Sequence, residues 1–96
     1  MLENGVTYRF RILKSRSPQL LAMLLDLAVA ETIVIFGTAK VKLETAYKVS
    51  PKGPVCSIDG GTECGEHLAK LFTGFLLKKF GEQGFRVERL AKRGRP

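Results

Sequence analysis

Between Leu20 and Phe36 the chain carries only two charged side chains, Asp26 and Glu31, and this apolar stretch limits every fold open to it. A segment of that kind must be covered on most sides, by a sheet or by a second subunit. Ser17 followed by Pro18 marks a helix start, because the serine hydroxyl accepts from a first-turn amide and proline has no amide to leave unpaired. A helix is expected from Pro18 to Ala30, apolar on nearly every side except at Gln19 and Asp26. The β-branched and aromatic run Thr32 to Phe36 then predicts a central strand covered on both faces. Leu20 to Val29, ending in Ala28-Val29-Ala30, also has the pattern of a signal-peptide core, but Asp26 interrupts it and a strand-like segment precedes it. Asp26 and Glu31 likewise keep residues 20–36 short of an unbroken transmembrane span, so no membrane partner is expected.

The remaining segments alternate between strand and helix patterns. Val6, Tyr8, Phe10 and Ile12 share one side of a strand whose other side carries Thr7, Arg9, Arg11 and Leu13. Gly37-Thr38 offers a turn. Beyond it Val41, Leu43, Thr45, Tyr47 and Val49 alternate with Lys40, Lys42, Glu44, Ala46 and Lys48, which predicts a long strand with one basic face. Pro51-Lys52-Gly53-Pro54 is a loop, because its prolines remove amide donors, and Val55 to Ile58 is a short strand. Thr62 caps a helix that runs to about Phe80, stopped by Gly81 and Gly84, with Cys64, Leu68, Leu71, Phe72, Phe75, Leu76 and Phe80 forming its core stripe. Acids near its start and lysines near its end suit the helix dipole. Phe85 to Leu90 is the last strand.

Ninety-six residues make one domain, expected over residues 1–90, with residues 91–96 as a basic C-terminal tail. The predicted class is α+β, two helices on one face of an antiparallel sheet in the ferredoxin-like order βαββαβ. A hairpin at Gly37 would change that order to βαβββαβ. No segment carries a motif specific enough to assign a family.

Reactive side chains gather in one place. Residues 56–67 hold both cysteines, Cys56 and Cys64, and the single histidine, His67. As a metal site, Cys56, Asp59, Cys64 and His67 would offer two thiolates, an imidazole and a carboxylate, a donor set suited to zinc, although the paired Cys-x-x-Cys knuckles are lacking. As a reactive thiol, Cys64 stands in the first turn of a helix, where free amides favour the thiolate, with His67 one turn on. Against this, cysteine at the head of an apolar stripe is more often core filler. As an anion cradle, Gly60-Gly61-Thr62 precedes a helix N-terminus, but no Gly-Lys-Ser/Thr follows and Glu63 and Glu66 oppose an anion.

The charge balance is the strongest compositional signal: 16 Lys and Arg against 9 Asp and Glu give a formal charge of +7. Such a chain attracts polyanions at a distance, either nucleic acid or an acidic protein. The residues expected to meet phosphates are Arg9, Arg11, Lys40, Lys42, Lys48, Arg86 and Arg89 on strands, with Lys92 and Arg93 in the tail. No aromatic side chains interleave with them, so contacts to the backbone rather than to bases are expected. The resulting expectation is a small non-catalytic binding protein, homo-oligomeric through its apolar first helix. Two cysteines are too few for a disulfide framework, which points to a reducing cytoplasm. The alternatives are the Cys/His site protein and an assembly subunit whose first helix is the partner surface.

Overall fold

A computed structural model describes residues 5–13, 17–50 and 54–92. The fold is α+β: a four-stranded antiparallel sheet with three helices between its strands. Strand β1 (Gly5–Ile12) is followed by helices α1 (Pro18–Phe36) and α2 (Thr38–Glu44). Strands β2 (Tyr47–Ser50) and β3 (Val55–Asp59), helix α3 (Glu63–Phe80), one 3-10 turn (Glu82–Gly84) and strand β4 (Phe85–Lys92) complete it. In space the strands run β2-β3-β1-β4, every neighbouring pair antiparallel.

Strand alternation divides the sheet into two chemically different sides. Phe10, Ile12, Cys56, Ile58 and Phe85 face the helices and are buried with Leu21, Leu24, Leu25, Ala28, Leu68, Phe72 and Leu76 in one core. At its centre the rings of Phe10 and Phe72 meet edge to face, centroids 4.9 Å apart, an arrangement that adds about 1 kcal/mol to simple burial. Among the described residues the other side of the sheet carries no helix.

Two expectations are overturned between Ala30 and Val49. The helix predicted to end at Ala30 continues through Thr32–Phe36, so the predicted central strand is absent. Before Gly37 no residue stops a helix; the β-branched penalty is only a few tenths of a kcal/mol per residue, and the buried Thr32 hydroxyl is satisfied within the helix by donating to the Ala28 carbonyl at 2.8 Å. Gly37 then ends α1 at φ +88°, a conformation that side-chain-bearing residues avoid. It is neither a hairpin nor a strand kink, because α2 follows directly. The predicted strand across 41–49 is therefore mostly helix, and only Tyr47–Ser50 pair into the sheet. Ala39, Lys40, Lys42, Leu43 and Glu44 are good helix formers, and Lys40 meets Glu44 one turn on at 3.8 Å.

Unbroken from Pro18 to Phe36, α1 is long and apolar enough to cross a membrane by length and composition alone, and 22% of that stretch is buried in the fold. Its inner side packs on α3 and the sheet through Leu21, Leu24, Leu25, Ala28 and Thr32. At the other end of the chain, β4 extends to Lys92, so the first residues assigned to the tail belong to the sheet. The loop residues 51–53 and Arg93, with the rest of the tail, lie outside the described residues.

Candidate functional site

The helix-free side of the sheet collects charge in rows set by the strand register. One row runs Glu88, Arg9, Ser57, Lys48 across all four strands. The next runs Arg86, Arg11, Val55, Ser50, and a third holds Leu90, Thr7 and Asp59. Arg9 pairs with Glu88, its Nη1 3.4 Å from Oε1, both side chains about half exposed. Thr7 donates its hydroxyl to Asp59 at 3.0 Å.

Arg11 and Arg86 stand directly opposite one another on neighbouring strands, both exposed. Like charges in that position repel. Among the described residues no carboxylate forms an ion pair with either, so this corner of the face keeps its positive charge. Arg9, Arg11, Lys48 and Arg86 are thus the predicted cations that converge.

Others do not. Lys40 and Lys42, expected on a strand, sit on α2 because that segment is helical. Lys40 donates to Glu63 at 3.2 Å with Glu44 also near, and the two acids hold its ammonium above its ordinary pKa. Its charge is answered within the chain. Lys42 lines an open groove with Val29, Ile33, Val41 and Tyr47, away from the sheet face. Arg89 pairs with Tyr8 and so points to the helix side of the edge strand. Lys92 ends β4 in register with Gly5, and Arg93 lies outside the described residues. Glu88 was missed by the sequence reading, although its two-residue spacing from Arg86 on one strand already puts acid and base on a single side.

The Cys/His segment folds into something other than an open site. Cys56 lies on β3, buried in the core opposite Phe10 and Val49, and burial pushes its thiol pKa up to about 12. Cys64 is buried in the first turn of α3, with its pKa raised, first by burial and then by the Glu44 carboxylate. That direction is opposite to the one expected of an activated thiol at a helix N-terminus, because a carboxylate occupies the place where free amides would act alone. Both cysteines are free thiols. Asp59 is engaged by Thr7, and His67 packs edge to face on Phe36 at 5.4 Å. Among the described residues no three His, Cys, Asp or Glu side chains are grouped to hold a metal ion.

The helix start after Gly60-Gly61 is likewise internally occupied. Thr62 accepts from the Gly65 amide at 2.9 Å and donates to the Glu44 carbonyl at 2.7 Å. The Cys64 amide reaches Glu44 Oε1 at 3.5 Å. Glu44, from the end of α2, thus fills the position proposed for an external anion. Tyr8 adds a further tie, donating to the two Glu66 oxygens at 2.8 and 3.0 Å and fastening β1 to α3. These contacts join elements of the fold, and both thiols of the segment are buried.

Comparison of the chain with models of protein families, with curated proteins and with solved structures gives no match.

Proposed function

We propose that this protein binds a polyanion, the phosphate backbone of a nucleic acid, on the helix-free side of its sheet, without catalysis. The observation that carries the reading is the direct opposition of Arg11 and Arg86 beside the row that holds Arg9 and Lys48. A phosphate placed over such a pair relieves the repulsion and gains charge-assisted hydrogen bonds from two guanidinium forks. Ser57, on the same side, adds a hydroxyl of a kind that contacts phosphate oxygens.

The aromatic side chains of the strands, Tyr8, Phe10, Tyr47 and Phe85, belong to the helix side by register. Base stacking is therefore no part of this reading, and binding is insensitive to sequence. We read the strand order β2-β3-β1-β4, with a helical crossover after β1 and another after β3, as the ferredoxin-like arrangement, in which one sheet face stays free for a ligand. Two free cysteines fit a reducing cytoplasm.

The test is a salt titration of binding to mixed-sequence RNA and DNA. Affinity is expected to fall steeply with added salt, and Arg11→Gln is expected to lower the slope of log K against log salt by about one. Lys42→Gln, away from the face, leaves the slope unchanged. Absence of binding at low salt, or equal loss from both variants, overturns the proposal.

A further inference from the structure

We propose that two copies of this protein pair edge to edge along β4, in a register centred on Val87. β4 is an edge strand of eight residues, whereas the opposite edge, β2, has four. Edge strands usually stay short or carry charges that a second copy cannot answer, since their free amides and carbonyls otherwise recruit another strand. β4 is long, and its charges have both signs.

The backbone pattern fixes which groups are free. Leu13 donates its amide to Gly84 at 2.8 Å in the same antiparallel register that places Arg11 opposite Arg86 and Arg9 opposite Glu88. Hydrogen-bonded pairs alternate along an antiparallel ladder. Gly84, Arg86 and Glu88 therefore bond to β1, and Phe85, Val87 and Arg89 direct their amides and carbonyls to the outside. With Val87 opposite the partner's Val87, Phe85 bonds the partner's Arg89, and Arg89 the partner's Phe85.

In this register Arg86 falls opposite the partner's Glu88, and Glu88 opposite the partner's Arg86. Both are non-hydrogen-bonded positions, where side chains approach most closely. A shift of two residues across the seam in either direction sets Glu88 against the partner's Glu88 or Arg86 against the partner's Arg86, so charge selects the centre. The pairing also shares the Glu88 carboxylate, which meets Arg9 in its own chain, with the partner's Arg86, so that Arg11 is left as the cation of that row for an external anion. The two sheets become one, with both helix-free sides on the same side of the seam. The inference does not rest on nucleic-acid binding, and it is tested without any nucleic acid.

Sedimentation equilibrium from about 1 µM to about 1 mM chain reads the association. The unaltered protein is expected to dimerise. R86E and E88R each set like charges across the seam at two symmetric positions and are expected to weaken the dimer at least about tenfold. R86E also sets a glutamate opposite Arg11 inside the chain, so its fold is retained while association is lost. The double variant R86E/E88R restores opposite charges and is expected to return to within about threefold of the original affinity.

Amide exchange locates the surface. Val87 and Arg89 amides are expected to exchange slowly in the dimer and fast in R86E, whereas those of Arg86 and Glu88, bonded to β1, stay slow in both. A monomer throughout the range, single variants that associate like the unaltered chain, or a double variant as weak as the singles overturns the proposal. So does a dimer in which the Val87 and Arg89 amides exchange freely.

Discussion

Helices α1 and α3 have nearly equal lengths, 19 and 18 residues, and the same punctuation, yet they meet water in opposite ways. Each begins with a hydroxyl that accepts from an amide three residues on, Ser17 from Leu20 and Thr62 from Gly65. Each ends at a glycine of positive φ, Gly37 at +88° and Gly81 at +76°. Along α3 a buried stripe of Leu68, Phe72 and Leu76 faces the sheet, with Glu63, Glu66, Lys78 and Lys79 arranged as the helix dipole prefers. Along α1 the first turn carries no acid and the last no base, and the side turned from the core shows Met23, Leu27, Val34 and Ile35 to solvent. Caps and terminators therefore fix where a helix lies, and the distribution of polar residues decides which of its sides stays wet.

The largest expected effect breaks the comparison at the core. Phe72→Ala on α3 removes a fully buried ring that packs on Phe10 and is expected to cost about 3–5 kcal/mol in urea denaturation. Val34→Ala, at a residue 84% exposed on α1, is expected to change stability by less than about 0.5 kcal/mol in the same assay. Equal costs would mean that the outer side of α1 is covered in solution.

The next effect appears at alkaline pH and concerns the strand beneath α3. The Cys56 thiol has its pKa raised by burial from 9.0 to about 12, so the folded chain keeps the proton that the unfolded chain releases. Its stability contribution is complete below pH 9 and is lost as pH rises from 9 toward 12, by up to about 1.4 kcal/mol per pH unit. Cys56→Ala is expected to lack that part of the alkaline decline when the two proteins are compared by denaturation at pH 8 and pH 10.5. Matching declines would place the thiol in contact with water.

The terminators come next. Gly37→Ala and Gly81→Ala each force a side chain into positive φ, and with open space around both positions the cost is backbone strain of about 1–3 kcal/mol. Chemical denaturation of the two variants compares them directly, and a cheaper Gly37→Ala would show that the α1–α2 junction gives way more readily than the end of α3.

The caps give the smallest and sharpest contrast. Ser17→Ala is expected to cost about 1 kcal/mol. Thr62→Ala should cost more, about 2 kcal/mol, because the same hydroxyl also donates to the Glu44 carbonyl and ties α2 to α3. Thermal melts of both variants, with Thr62→Ser as the conservative control, read the difference.

The same contrast explains what was legible before folding. For α3 the stripe, the cap and the stop agree, so Thr62 and Gly81 bound it in sequence as they do in space. For α1 the stripe is missing, and the β-branched run Thr32–Phe36 reads as a strand because periodicity has no polar side to follow there. In the fold the end of that run makes a contact distant in sequence: Phe36 packs on His67 of α3, with the Lys40 ammonium 5.6 Å from the ring. The basic face was legible where strands alternate, at Arg9, Arg11 and Arg86. It was misread at Lys40 and Lys42, whose lysine spacing of two residues fits a strand as well as the exposed side of a short helix.

Taken alone, the order of residues determined the helix starts at Ser17 and Thr62, the stop of α3 at Gly81, the inward and outward sets of β1, and the excess of positive charge. These depend on neighbours a few positions apart, whose geometry is local. Tertiary structure decided that α1 absorbs Thr32–Phe36, that Glu44 closes the N-terminus of α3, and that Arg11 faces Arg86 across neighbouring strands. Each of those outcomes joins groups from separate segments, and the energies that select them arise only when the segments are packed.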